Sequence, residues 1–75
     1  MKPEERLALS ARTIALWEQM GGLPSGKPED TMRMIREEAQ ILHAMAAEHL
    51  ELADEANAVA RRYGALANRV RLGMN

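Results

Sequence analysis

The chain has two histidines, His43 and His49, which are the first candidates for metal binding or proton transfer. They are six residues apart, about 120° around a helix, so they cannot hold one metal ion as neighbours on one face. Neither follows a glutamate by three residues, as in di-iron bundles, because Gln40 and Ala46 occupy those positions. We therefore predict no metal site and interpret His49 as a packing histidine with a hydrogen-bonded ring nitrogen. A site assembled across a dimer from His49 and Glu48 is the alternative.

Residues that could act as nucleophiles or bases are few. There is no cysteine, and neither Ser10 nor Ser25 lies on a strand-to-helix elbow or beside an obvious base. Pairs of acidic residues such as Glu37 and Glu38 could serve acid–base chemistry, but on an amphipathic helix they are typical of a solvated face. The five glycines contain no phosphate-binding pattern. We predict a non-catalytic protein with no catalytic residue and no cofactor.

The basic residues near the carboxyl end could contact phosphates or another anion. Six basic and all eleven acidic residues precede Ala56, whereas four arginines and no acid follow it. These candidate nucleic-acid or anion contacts are Arg61, Arg62, Arg69 and Arg71. No aromatic residues alternate with them, and the pI is about 6.1. Salt bridging between subunits and complementation of the helix dipole are the favoured interpretation of this cluster.

A second candidate contact surface is rich in methionine. A helical hairpin would bring together Met20, Leu23, Met32 and Met34 at its closed end. Methionine side chains adapt to varied partners, so this tip is a candidate partner patch. Ordinary core filling explains the same residues.

The elements that position these residues are helical, because alanine and methionine are frequent while aromatic residues make up only 3% of the chain. Between Thr31 and Leu72 an apolar pattern repeats every seven residues, which is typical of a coiled-coil helix. One line of the pattern consists of Ala39, Ala46, Ala53, Ala60 and Ala67. The other consists of Ile35, Leu42, His49, Ala56, Tyr63 and Val70.

The sequence predicts one all-α domain over residues 1–75, with two helices. Helix 1 spans about 3–20, a connection follows at 21–28, and helix 2 spans about 29–72. Proline and acidic residues start each helix, as in Pro3-Glu4 and Pro28-Glu29. Gly64 could end helix 2 early, but the apolar pattern continues beyond it, so we predict a continuous helix.

Unequal helix lengths predict an oligomer. Helix 2 would be about 65 Å long and helix 1 about 26 Å, so a hairpin leaves half of the apolar strip uncovered. An antiparallel coiled-coil homodimer resembling a four-helix bundle would cover the strip. Its predicted interface comprises His49, Leu52, Ala53, Ala56, Val59, Ala60, Tyr63, Leu66, Ala67 and Val70.

The predicted layout resembles that of small two-helix proteins that dimerise into four-helix bundles, some of which bind RNA; this is a likeness of layout alone. The first hypothesis is an adaptor or regulator that binds another protein as a homodimer. A nucleic-acid-binding regulator is the second, and a bundle holding a small anionic ligand between chains is the third. Without a signal-peptide start at Met1 or an apolar run of about 18 residues, we expect a soluble cytoplasmic protein without membrane contact.

Overall fold

The computed structural model describes the backbone of residues 1–20 and 28–73 and the side chains of residues 1–20 and 29–71. Within these ranges the fold is all-α. Helix α1 spans Pro3–Gln19, α2 spans Pro28–Glu48, and α3 spans Ala53–Gly73. A single turn of 3₁₀ helix at Leu50–Leu52 joins α2 to α3. The predicted connection at 21–28, including Leu23, falls almost wholly outside the described residues.

Helix α1 agrees with its predicted range to one residue. Pro3 has no backbone N–H, but it costs the helix no hydrogen bond because N–H groups of the first turn have no intrahelical partner. Glu4 and Glu5 complement the positive end of the helix dipole. The face that α1 buries consists of Leu7, Ser10 and Ile14, at spacings of three and four residues.

The prediction of one continuous second helix is wrong, because α2 ends at Glu48. His49 leaves the helical region with φ −128° and ψ 86°, and the chain turns back. The turn keeps part of its backbone hydrogen bonding: the His49 N–H donates to the Met45 carbonyl at 2.8 Å, and the Leu52 N–H donates to the His49 carbonyl at 2.9 Å. Gly64 lies within α3 and does not interrupt it.

The turn at His49 produces a three-helix bundle that is 39 Å long. Helices α2 and α3 form the most extensive contact, and α1 packs more on α3 than on α2. Reversing the chain lets the two halves of the apolar strip bury each other, which a straight helix cannot do. This gain in burial explains why tertiary packing overrides the helical propensity of the sequence at the turn.

The core therefore contains most of the residues predicted to lie between subunits. Ala56 and Tyr63 from α3 lie in one apolar cluster with Ile14 from α1 and Leu42 from α2. The fully buried members of the predicted interface are Ala56, Val59, Ala60, Tyr63, Leu66 and Ala67, and the half-buried ones are His49, Leu52, Ala53 and Val70. The strip is thus covered within one chain, and the physical argument for a dimer no longer holds.

Candidate functional site

Between α1 and α2 the bundle has an open groove, because these two helices touch each other less than either touches α3. The larger part of the groove has a volume of about 480 Å³ and the smaller part about 310 Å³. Met1, Arg6 and Ile41 line both parts, so the two adjoin each other. We call it the α1–α2 groove.

Tyr63 closes the α1–α2 groove from below. This α3 side chain is only 2% exposed, and its hydroxyl donates to the Ser10 carbonyl at 2.8 Å. The Ser10 hydroxyl donates to the Tyr63 hydroxyl oxygen at 3.2 Å. Burial raises the pKa of Tyr63 above its usual value of 10.0. Trp17 meets the tyrosine ring edge-on, with ring centroids 6.0 Å apart and planes at 84°, so the floor is aromatic and hydrogen-bonded.

Apolar side chains form the walls of the groove and remain partly open to solvent. Leu9 on α1 is 41% exposed, while Met34 and Ile41 on α2 are 52% and 47% exposed. Each side chain lines the groove rather than pointing away from it. Surface apolar residues usually occur singly, so three on facing walls of one groove are a candidate interaction site.

An ion pair crosses the groove from α1 to α2. The Arg6 guanidinium donates to Glu38 Oε1, and this hydrogen bond raises the pKa of Arg6. The other carboxylate oxygen, Glu38 Oε2, is buried and has no hydrogen-bond partner among the described residues. The α2 rim also carries Glu37 and Glu48, for which the described part of the chain provides no ion pair. Arg6 and the amino group of Met1, which also lines both parts of the groove, oppose the charges of Glu37, Glu38 and Glu48, so the lining keeps a small excess of negative charge.

The described members of the predicted partner patch do not form one surface. Met34 lies in the groove, Met20 is exposed near the end of α1, and Met32 packs against the core. Leu23 lies outside the described residues. Among the three methionines of this set, Met34 is therefore the one that belongs to the candidate site.

The four arginines lie on α3, where Arg61, Arg62, Arg69 and Arg71 are all exposed. Arg62 forms an ion pair with Glu18 of α1, and the hydrogen bond from Arg62 lowers the pKa of Glu18. Arg71 donates to Asn68 Oδ1 at 3.3 Å. The Glu18 contact shows that one of these charges serves to join α1 to α3 within the bundle.

The histidines do not converge. His43 Nδ1 lies 2.9 Å from Asn57 Oδ1 across α2 and α3, and His49 Nδ1 lies 3.7 Å from a carboxylate oxygen of Glu51. Across the described residues, no group of three or more potential ligand side chains is arranged to hold a metal ion. Within the same part of the chain, no helix has the length and hydrophobicity needed to cross a bilayer.

Sequence reasoning missed the groove residues Leu9, Ile41 and Glu38. Ile41 lies outside the seven-residue apolar pattern of residues 31–72, and Leu9 lies outside the buried face of α1; these departures were the available signal. Glu38 was assigned to a solvated face, whereas the structure pairs it with Arg6 at 17% exposure of its side chain.

Compared with known proteins, the chain matches no family model, and it has no significant similarity to a curated protein or to a solved structure. The fold and the groove are therefore the basis for any statement about function.

Proposed function

We propose that the protein is a non-catalytic adaptor or regulator that binds another protein in the α1–α2 groove. The observation that carries this proposal is the placement of Leu9, Met34 and Ile41, which are partly exposed on facing walls above the aromatic floor of the groove. Covering these side chains with an apolar surface removes them from water, which is the main driving force of protein association.

The proposal does not depend on a homodimer. Self-association stays a prediction, but the apolar strip that motivated it is buried within one chain. Nucleic-acid binding through α3 receives less support, since Arg62 is engaged with Glu18. A small ligand between chains likewise has no geometric basis in a strip that the chain covers itself.

The test places a photo-crosslinking amino acid at Ile41 in the full chain and expresses it in the native host. Leu50 is the matched control, because it is also apolar and exposed but lies on the turn, outside the residues that line the groove. We expect one defined protein adduct from position 41 and none from position 50.

The captured protein is then purified and its affinity is measured for Ile41→Ser and Leu50→Ser. Ile41→Ser should weaken binding by about tenfold or more, because a buried isoleucine contributes roughly 1.5–3 kcal/mol, and Leu50→Ser should have no effect. Equal adducts at both positions, or equal affinities of the two variants, would refute the groove as the binding site.

A further inference from the structure

We propose that the partner presents a basic amphipathic helix, which lies in the α1–α2 groove as the fourth helix of a bundle. This inference rests on the proposed function and adds the shape and charge of the occupant.

The spacing of the lining residues favours a helix as the occupant. On α2 the groove is lined by one continuous helix face, whose residues recur at spacings of three and four, as at a helix–helix contact. These residues are Met34, Glu37, Glu38, Ile41, Ala44, Met45 and Glu48. They extend over about 21 Å, or four helical turns. A helix placed between two helices with this spacing buries its own apolar stripe and completes a four-helix bundle.

The charge of the rim favours a basic occupant. Glu37 and Glu48 are eleven residues apart, which places them on the same side of α2 about 16 Å from each other. Neither has an ion-pair partner within the described residues. A lysine or arginine at two positions three turns apart on the occupant would meet both carboxylates.

The same charges disfavour a second copy of this chain in the groove. A twofold dimer places one patch against itself. The acidic rim of one copy would then lie against that of the other, and like charges in close contact weaken association. Helix α3 carries the arginines, but its apolar face is buried in the core of its own chain. It is therefore not available to enter the groove of a second copy.

The test uses two synthetic 18-residue amphipathic helical peptides with the same leucine stripe, one flanked by lysines and the other by glutamates. Trp17 reports binding, since it lines the groove and is the one tryptophan of the full chain. We expect the lysine peptide to bind to the full chain and the glutamate peptide to bind at least tenfold more weakly. The difference in affinity between the two peptides should decrease at high salt, because salt screens the charges.

Variants identify the site and the charges. Glu37→Gln with Glu48→Gln should weaken binding of the lysine peptide roughly three- to tenfold, the effect of two partly exposed ion pairs. Asp54→Asn with Glu55→Gln removes the same charge from exposed positions outside the groove and should leave the affinity unchanged. Circular dichroism confirms that each variant folds.

The outcomes separate the two proposals. If both peptides bind equally and Ile41→Ser weakens both, the groove is a docking site and the basic partner is wrong. If neither peptide binds, or Ile41→Ser leaves the binding of both unchanged, the basic helical occupant is wrong; the groove as a docking site is refuted separately, by equal crosslinking from positions 41 and 50. Concentration-dependent dimerisation that Ile41→Ser abolishes would identify a second copy as the occupant instead.

Discussion

Tyr63 and Ser10 are joined by two hydrogen bonds inside the bundle, and these bonds fix α1 to α3. The tyrosine hydroxyl donates to the Ser10 carbonyl and accepts from the Ser10 hydroxyl. Both residues are 2% exposed, so water cannot replace either bond without opening the core. The same tyrosine forms the floor of the α1–α2 groove, which links the stability of the bundle to the shape of its candidate site.

Tyr63→Phe should therefore destabilise the protein by about 1–2 kcal/mol, because it removes both hydrogen bonds and leaves the aromatic ring in place. Chemical denaturation measures this free energy. Ser10→Ala is the matched control: it removes the weaker bond alone and should cost less. Equal stability of Tyr63→Phe and the unmodified chain would contradict the role assigned to this contact.

Tyr63 also predicts the response to alkaline pH. Burial raises the pKa of the phenol above its usual 10.0, so the folded protein disfavours the tyrosinate. The unfolded chain ionises first, and the stabilisation is thus complete below pH 10 and is lost as pH rises through the higher folded pKa. Absorbance at 295 nm reports this single tyrosine directly. A folded-state transition at or below pH 10 would show that the ring is not buried as described.

The ion pair between Arg6 and Glu38 should couple more strongly than the pair between Arg62 and Glu18. Side-chain exposure is 32% and 17% in the first pair, against 42% and 32% in the second, so solvent screens the first less. A double-mutant cycle with alanine at Arg6 and Glu38 should give about 0.5–1 kcal/mol. The same cycle at Arg62 and Glu18 is the comparison. A larger coupling energy there would show that the Arg62–Glu18 pair is the stronger of the two.

Gly64 offers a stabilising substitution. It lies inside α3, and a Cβ at this position would meet no neighbouring atom within 4 Å. Gly64→Ala should raise the free energy of unfolding by about 1 kcal/mol, the difference in helix propensity between the two residues. Ala65→Gly, at an adjacent exposed position, should lower it by a similar amount. Destabilisation by Gly64→Ala would mean that α3 does not continue through this residue.

The helical class and the starts of α1 and α2 could be predicted from the sequence, since local propensity and proline placement determine them. The turn at His49 could not be predicted in the same way, because no glycine or proline marks it. One local signal was present nevertheless. Each helix carries two acidic residues in its first turn, and the pairs begin at Glu4, Glu29 and Asp54. The third pair indicated a third helix start.

The apolar pattern predicts a seam between helices, and in the structure the residues of this seam pack into the core of one chain. A seven-residue repeat specifies that a helix packs against another helix and does not specify which one. The two halves of one apolar strip can therefore pack against each other after a turn in the chain. They could equally pack against a second chain. The candidate site depends on how far α1 lies from α2, and this distance follows from tertiary packing around Tyr63 rather than from any local pattern.

The turn at His49 is the feature on which this account depends, because it covers the strip within one chain and leaves the α1–α2 groove open for a partner. Since the chain has no cysteine, spin labels can be placed by Arg33→Cys and Arg69→Cys and their separation measured by pulsed electron resonance. Both positions are exposed, one on α2 and one on α3. Labelled protein is diluted with unlabelled protein, so that each distance arises within one chain. Antiparallel packing of the two helices predicts roughly 10–25 Å, whereas a continuous helix from residue 33 to 69 would give about 54 Å and would contradict the fold and the groove together.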